Sequence, residues 1–177
     1  SVALSGLSLT GADAGNYTVS SSGVTADISQ LALSISGSSA ASKVYDGNTA
    51  ATITEGTLSG VVSGDTVTAT GSGTFADKNV GTGKNVTTTY SLAGTDSSNY
   101  SLIGETLQAD ITIKTLTISG STVADKAYDG TTAASVSAGV LVGAVSGDSL
   151  SVSATGTFDD KNVASGKDVD TLYTLTG

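Results

Sequence analysis

The sequence predicts an all-β protein built as a tandem array of small β-sandwich repeats, and three observations predict it. Apolar and polar residues alternate over short runs, as in Thr66-Val67-Thr68-Ala69-Thr70, Leu150-Ser151-Val152-Ser153-Ala154, Ile111-Thr112-Ile113 and Leu116-Thr117-Ile118. That is the period-two pattern of a strand with one buried face. No apolar spacing of i, i+3, i+4, i+7 is sustained for three turns, and Asp outnumbers Glu 14 to 2. Asp serves turns and caps, whereas Glu favours helices. The third observation is that the chain repeats itself at a fixed period of 83 residues.

The repeat is strong. Lys43-Val44-Tyr45-Asp46-Gly47 returns as Lys126-Ala127-Tyr128-Asp129-Gly130, Val62-Ser63-Gly64-Asp65 as Val145-Ser146-Gly147-Asp148, and Phe75-Ala76-Asp77-Lys78-Asn79-Val80 as Phe158-Asp159-Asp160-Lys161-Asn162-Val163, each at an offset of 83. Aligning 39–94 with 122–177 needs no gap and gives 29 identities in 56 positions. The first 38 residues keep the frame: Asn16-Tyr17 matches Asn99-Tyr100 and Ala26-Asp27-Ile28 matches Ala109-Asp110-Ile111. This period is too long for an ankyrin repeat, a propeller blade or a β-helix rung. It suits a β-sandwich, which takes about 100 residues and about seven strands.

Within the central copy the elements follow from turn signals that arrive about every ten residues. A strand at 31–36 precedes the Asp46-Gly47 turn, and one at 50–58 lies between that turn and Ser63-Gly64-Asp65. The alternating run gives a strand at 65–70. The Gly81-Thr82-Gly83 turn is followed by a strand at 85–92, and Thr95-Asp96-Ser97-Ser98 leads into strands at 99–103 and 106–113. The joint between copies falls at Lys114-Thr115, and at Ser29-Gln30 one period earlier. On this frame 1–29 is the C-terminal part of one repeat, 30–112 a complete repeat and 113–177 the N-terminal part of the next. A permuted frame, with domains at 1–87 and 88–177, has the same period, so periodicity alone does not choose between them. In either frame both ends read as cut from a longer array. A two-residue joint implies stiff, close stacking.

Composition excludes several functions. The chain has no Cys, His, Met, Trp, Pro or Arg. Without Cys or His there is no Ser–His–Asp or Cys–His nucleophile pair, zinc finger, haem ligand or iron–sulfur site. Seven Lys against 16 acids, a formal net charge of −9, make nucleic acid and anionic membrane surfaces poor partners. No apolar run reaches the roughly 18 residues of a membrane span. With two Phe and six Tyr to line a sugar subsite, carboxylate-pair glycoside hydrolysis is not expected, and the reading is of a protein that is not an enzyme.

Taken together, Tyr45-Asp46-Gly47 after Lys43, the Val-Ser-Gly-Asp segment, the Asp77-Lys78-Asn79-Val80 turn, Asn99-Tyr100-Ser101-Leu102, and Ala109-Asp110-Ile111 followed by Leu116-Thr117-Ile118 resemble the YDG-domain repeats of bacterial surface proteins. The resemblance covers essentially the whole chain. Such repeats occur in large haemagglutinin-like adhesins exported by two-partner secretion and are similar to bacterial immunoglobulin-like modules. The resemblance implies tandem immunoglobulin-like sandwiches, an extracellular location on the bacterial cell surface, and a stalk or filament that projects a distal adhesive region. It carries no catalytic residues. The alternative is a multivalent module that binds glycans or matrix directly.

The candidate residues are those of the repeated motifs: Lys43, Tyr45, Asp46 and Gly47 with Asp77, Lys78 and Asn79, and their copies Lys126, Tyr128, Asp129 and Gly130 with Asp160, Lys161 and Asn162. Gly permits a tight turn, Asp bonds the backbone two residues on, and Tyr packs its ring while its hydroxyl finds a partner. Calcium is a lesser candidate at Asp46, Asp65, Asp77 and Asp96; six to eight oxygens are needed, so at least three of these would have to converge. No cofactor is otherwise expected. Lys43, Asn79 and Asp77 are the raw materials of an internal amide crosslink, but neither Glu55 nor Glu105 repeats as the acid beside it. Expected partners are neighbouring repeats and, because no Pro blunts the edge strands, like chains through strand pairing.

Overall fold

The computed structural model of the protein describes residues 6–20 and 25–177; residues 1–5 and 21–24 of the first repeat lie outside the described residues. The chain is all-β, with single 3-10 turns at Ala14–Asn16 and Ser97–Asn99. Strand β1 (Leu31–Ser36) opens the central repeat, followed by the two-residue strands β2 (Ser39–Ala40), β3 (Lys43–Val44), β4 (Ala50–Ala51) and β5 (Ile53–Thr54). Then come β6 (Thr57–Ser59), β7 (Thr68–Phe75), β8 (Gly81–Ala93), β9 (Tyr100–Leu102) and β10 (Thr106–Thr112). The next repeat supplies β11 (Thr117–Ser119), β12 (Thr122–Val123), β13 (Ala133–Ala134), β14 (Val136–Ser137), β15 (Val140–Val142), β16 (Ser151–Phe158) and β17 (Val169–Thr176).

The backbone of the central repeat is the β7–β8 hairpin, in register from Thr68 opposite Ala93 to Phe75 opposite Val86. The far edge of β8 pairs antiparallel with β10, and β10 pairs parallel with β3, giving the order β3-β10-β8-β7-β4. Strand β1 changes partner halfway. Leu31–Leu33 run parallel to β9, and Ser34–Ser36 run antiparallel to β6. Strand β2 pairs with β5. Around the core this layout is consistent with a β-sandwich. The core is small: Ile53, Phe75, Val86, Ala109 and Ile111, with Tyr45 and Leu107 packed against it. Alternation along β7 and β8 sends one face inward, so Phe75 and Val86 are buried while Thr74 and Thr87 face out.

Several boundaries differ from the sequence reading, each for a physical reason. The strand placed at 65–70 begins at Thr68 and continues to Phe75. Its Gly71 and Gly73 are close-approach positions within the strand: a Cβ on Gly73 would meet Ile53 Cδ1 at 2.5 Å and Val86 Cγ1 at 2.9 Å. Glycine in a strand interior often marks such an approach. The turn expected at Gly81-Thr82-Gly83 lies inside β8. The register there breaks between Ala109 and Ile111 on β10, and Gly83 N–H donates to Asp110 Oδ1 at 2.7 Å, so the glycine signal marks a bulge. The hairpin turn is instead Ala76 to Val80. The strand at 50–58 is split into β4, β5 and β6.

The second repeat reproduces the pattern. Strand β16 pairs with β17 from Ser151 opposite Thr176 to Phe158 opposite Val169, and β13, β14 and β15 pair with β16, β12 and β11. The counterpart of β3, residues 126–127, is not a strand. Strand β3 exists by pairing with β10, and residues 113–177 hold no equivalent of β10.

Candidate functional site

The Lys-x-Tyr-Asp-Gly motif is built around its lysine. Lys43 Nζ donates to Asp46 Oδ1 at 2.8 Å and to Asn48 O, Asn48 Oδ1 and Ala50 O, each at 2.9 Å. Asp46 Oδ1 also accepts Asn48 N–H at 3.1 Å. The ammonium thus fills the 46–50 loop as a bound cation would, and it sits 5.5 Å from the Phe75 ring centroid, within cation–π range. Lys126 repeats the arrangement on Asp129 Oδ1 at 2.9 Å, Thr131 O at 2.9 Å and Ala133 O at 3.0 Å, over the Phe158 ring at 5.7 Å. The Lys43 ammonium, then the Asn48 amide, hold the Asp46 carboxyl below its ordinary range. The Lys126 ammonium, then Thr131, take Asp129 down to about 2.

Asp77-Lys78-Asn79 forms the turn of the β7–β8 hairpin. Asp77 Oδ1 accepts the Asn79 amide at 2.7 Å and the Lys84 ammonium at 2.8 Å, and Lys84 first, then Asn79, lower its pKa. In the second copy Asp160 Oδ1 takes Asn162 N–H and Lys167 Nζ, each at 2.6 Å, and Asp159 joins at 2.8 Å. Asp159 and Asp160 in turn raise Lys167. Lys84 and Lys167 were not among the sequence candidates, although Gly83-Lys84 returns as Gly166-Lys167 at the same offset of 83.

The two motifs meet at the joint between repeats. Tyr45 N–H donates to Thr112 O at 2.9 Å, at the end of β10, which puts the motif where the chain leaves the central repeat. From there the Tyr45 hydroxyl donates to Asp148 Oδ1 at 3.0 Å, across a sequence separation of 103 residues. Lys78 Nζ lies 3.7 Å from the same oxygen and 6.0 Å from the Tyr45 ring centroid; the Tyr45 hydroxyl, then the Asp148 carboxylate, raise its pKa. Gly47 is needed twice over. Its φ is +82°, and a Cβ there would lie 2.7 Å from Val145 Cγ1. Asn79, Val80, Lys114 and Leu116 line the groove between the two repeats beside Tyr45 and Val145. The Tyr-Asp-Gly of one repeat therefore seats the Val-Ser-Gly-Asp turn of the next.

That turn has its own internal pin. In the central repeat Tyr100 is 4% exposed. Its hydroxyl donates to Asp65 Oδ2 and accepts the Val62 amide at 3.1 Å. The Asp65 carboxylate, followed by desolvation, holds the phenol above its ordinary pKa. Tyr100 and Asp148 are functional residues that the motif reading did not single out. The repeat made both visible as recurring positions, but a contact between copy n and copy n+1 leaves no trace in a period.

The remaining candidates are placed as follows. Tyr128 and Gly130 are exposed, as are Lys161 and Asn162. Asp46, Asp65, Asp77 and Asp96 do not come together: their partners are Lys43, Tyr100, Lys84 and the Thr66 amide respectively. Among the described residues no three Asp, Glu, His or Cys side chains gather to hold a metal. Lys43 contacts neither Asn79 nor Asp77 by hydrogen bond; its bonds go to Asp46, Asn48 and Ala50.

A family model described as the YDG domain matches residues 29–109 and 112–177. No curated protein matches the chain, and no solved structure does.

Proposed function

The chain belongs to the YDG domain family, and on that premise we propose that it is a structural segment of a bacterial cell-surface adhesin or extracellular filament, a stalk that holds a distal adhesive region away from the cell. In this reading each repeat is an immunoglobulin-like sandwich, the parent protein is haemagglutinin-like and exported by two-partner secretion, and the segment is neither an enzyme nor dependent on a cofactor. The observation that carries the proposal is the Tyr45–Asp148 hydrogen bond at 3.0 Å across the joint. A spacer must transmit orientation from one repeat to the next, and side-chain contacts across a short connection do that where a flexible linker does not. The motif that recurs is used in building the joint.

Two further features support the stalk. In the central repeat Tyr90 and Tyr100 are buried, and Tyr45 is half-buried with its hydroxyl engaged; none presents an open ring for stacking on a sugar. The net charge of −9 makes neighbouring stalks repel, which keeps a crowded surface layer soluble.

Chains of one, two and three repeats test the proposal by small-angle scattering and by surface immobilisation against glycans and cells, with and without calcium. The maximum dimension is expected to rise by about 30–40 Å per added repeat, from strand rise, with no saturable binding. Saturable binding that grows with repeat number would replace the stalk by a multivalent binding module.

A further inference from the structure

Each Tyr-Asp-Gly motif contains a chemically fragile step. Where Gly follows Asp, the Gly nitrogen is unobstructed by a side chain and can attack the Asp carboxyl carbon. The acid form reacts: a Cγ–N bond forms, the Cγ–OH bond breaks, and the hydroxyl leaves as water with the amide proton. The product is a five-membered succinimide. Water then opens it at either carbonyl, restoring aspartate or giving isoaspartate, whose main chain runs through Cβ and Cγ and is one atom longer. Asparagine before Gly reacts in the same way with loss of ammonia. The chain holds 14 Asp, six Asn and 23 Gly, yet no Asn precedes Gly, and Asp does so only at 46–47 and 129–130. Both of these steps lie in the lysine-filled loops.

The loop needs both residues of the pair. Gly47 and Gly130 have φ of +82° and +78°, which an L side chain rarely adopts. The carboxylates of Asp46 and Asp129 accept the amides of Asn48 at 3.1 Å and Thr131 at 2.9 Å. We propose that Asp46-Gly47 and Asp129-Gly130 are the chain's sites of aspartyl rearrangement, and that the motif lysine, Lys43 or Lys126, slows the reaction at each. Lys43 Nζ lies 2.8 Å from Asp46 Oδ1 and Lys126 Nζ 2.9 Å from Asp129 Oδ1. The succinimide is uncharged, so ring closure discards the ammonium–carboxylate attraction that stabilises the starting loop. The ammonium also disfavours the reactive acid form, and Asp129 is taken down to about 2. Burial does not protect these groups: the Asp46 side chain is 44% exposed with the next repeat seated on its motif, and that of Asp129 53%. Isoaspartate at 46 would lengthen the main chain between Tyr45, which bonds Asp148 at 3.0 Å, and Gly47, which faces Val145. The lysine thereby preserves the joint. The proposal rests on the loop geometry and is independent of the stalk reading.

The two copies give the experiment its own control. The full chain, Lys43→Met and Lys126→Met are incubated at mildly acidic pH, and isoaspartate at each site is followed by peptide mapping with electron-transfer fragmentation. Methionine keeps an apolar stem for the Phe75 and Phe158 rings and removes the charge. Lys43→Met is expected to raise the rate at Asp46 severalfold and leave Asp129 unchanged, and Lys126→Met to do the reverse. No change at the altered loop overturns the proposal. A slower reaction there also overturns it, because the ammonium would then be assisting the departing oxygen. An equal rise at both sites of one variant overturns it too, since it reports a loosened chain and not a lost contact. The pH profile is the second readout. The rate at Asp129 falls as the acid form is titrated away, and in Lys126→Met that fall should move to higher pH as the carboxyl returns towards its ordinary 3.8. A faster reaction with an unmoved profile would mean that the lysine only stiffens the loop, and would overturn its role in holding the charge.

Discussion

Phe75 and Phe158 occupy one position in two copies of a single pattern, yet Phe75 is 1% exposed and Phe158 only half-buried. Ile111 and Ile28 differ more, at 1% and 102%, and Tyr100 and Tyr17 stand at 4% and 71%. The chemistry of each pair is identical, so the difference lies in what surrounds it. Phe75 packs with Ala109 and Ile111 of β10, and residues 113–177 contain no equivalent of that strand. Residues 6–20 and 25–28 have the counterparts of the 3-10 turn, β9 and most of β10 but not those of β7 and β1, and no strand forms in them. The hydrogen-bonded devices behave otherwise. The Lys126 loop and the Asp160 turn form as fully as the Lys43 loop and the Asp77 turn. Loops and hairpins in this repeat are locally determined; burial requires the last strand.

The largest effect that would break this comparison is at the phenylalanines. Phe75→Ala is expected to cost about 3–5 kcal/mol, the range for a fully buried Phe. Phe158→Ala, removing a ring that is partly wet already, should cost about half as much or less. Urea unfolding of both variants measures it. Equal losses would mean that the second repeat completes its core in some other way. Close behind comes Ile111→Ala, expected to cost about 2–5 kcal/mol, against a change within about 0.5 kcal/mol for Ile28→Ala at a fully exposed position. A large loss at Ile28 would show that the first repeat is packed in solution.

These contrasts also mark what could be read beforehand. The strand at 31–36 has the bounds the turn spacing predicted, and the all-β class follows from alternation and the Asp-rich turns. What escaped was non-local. The continuation of the 65–70 strand through Gly71 and Gly73 escaped because sequence does not show the Tyr90 and Ile53 side chains that lie over them. Strands β2 and β3, two residues each, are too short to display a period and owe their existence to β5 and β10. In the site, Tyr-Asp-Gly was legible as a motif and its Tyr as a ring with a hydroxyl needing a partner. That the partner is Asp148 was not legible, because alignment of repeats compares equivalent positions and this bond joins non-equivalent ones.

A smaller effect sharpens the contrast at a buried hydroxyl. Thr88 is 3% exposed; its Oγ1 donates to Glu105 O and accepts the Glu105 amide, both at 2.8 Å. Its counterpart Thr171 is exposed. Thr88→Ala is expected to cost about 1–3 kcal/mol, since it strands the Glu105 amide, and Thr171→Ala less than about 0.5 kcal/mol. Comparable losses in thermal unfolding would contradict the assignment of Thr88 as the clip between β8 and the segment leading into β10.

The smallest expected effect separates the two lysine-filled loops by acid. Asp129 titrates at about 2 against an ordinary 3.8 because the Lys126 ammonium, and then Thr131, favour its charged form; Asp46 is lowered by Lys43 in the same sense. A depressed carboxyl pKa contributes stability that is fully present above the unfolded value and disappears as pH falls through the folded one. The Lys126 loop should therefore hold above about pH 4 and loosen towards about pH 2, the Lys43 loop should weaken in the same direction as pH falls, and added salt should weaken these exposed pairs. The consequences differ between copies. When Asp46 protonates, the β3–β10 pairing and the Tyr45 amide bond to Thr112 still pin the loop. When Asp129 protonates, no strand holds residues 126–127. Amide exchange read across this window should accelerate at Thr131, whose N–H is bonded to Asp129, well before it does at Asn48. Simultaneous loosening of the two would mean that β3 adds nothing to the loop it leads into, and that the lysine alone sets the stability of the motif in both repeats.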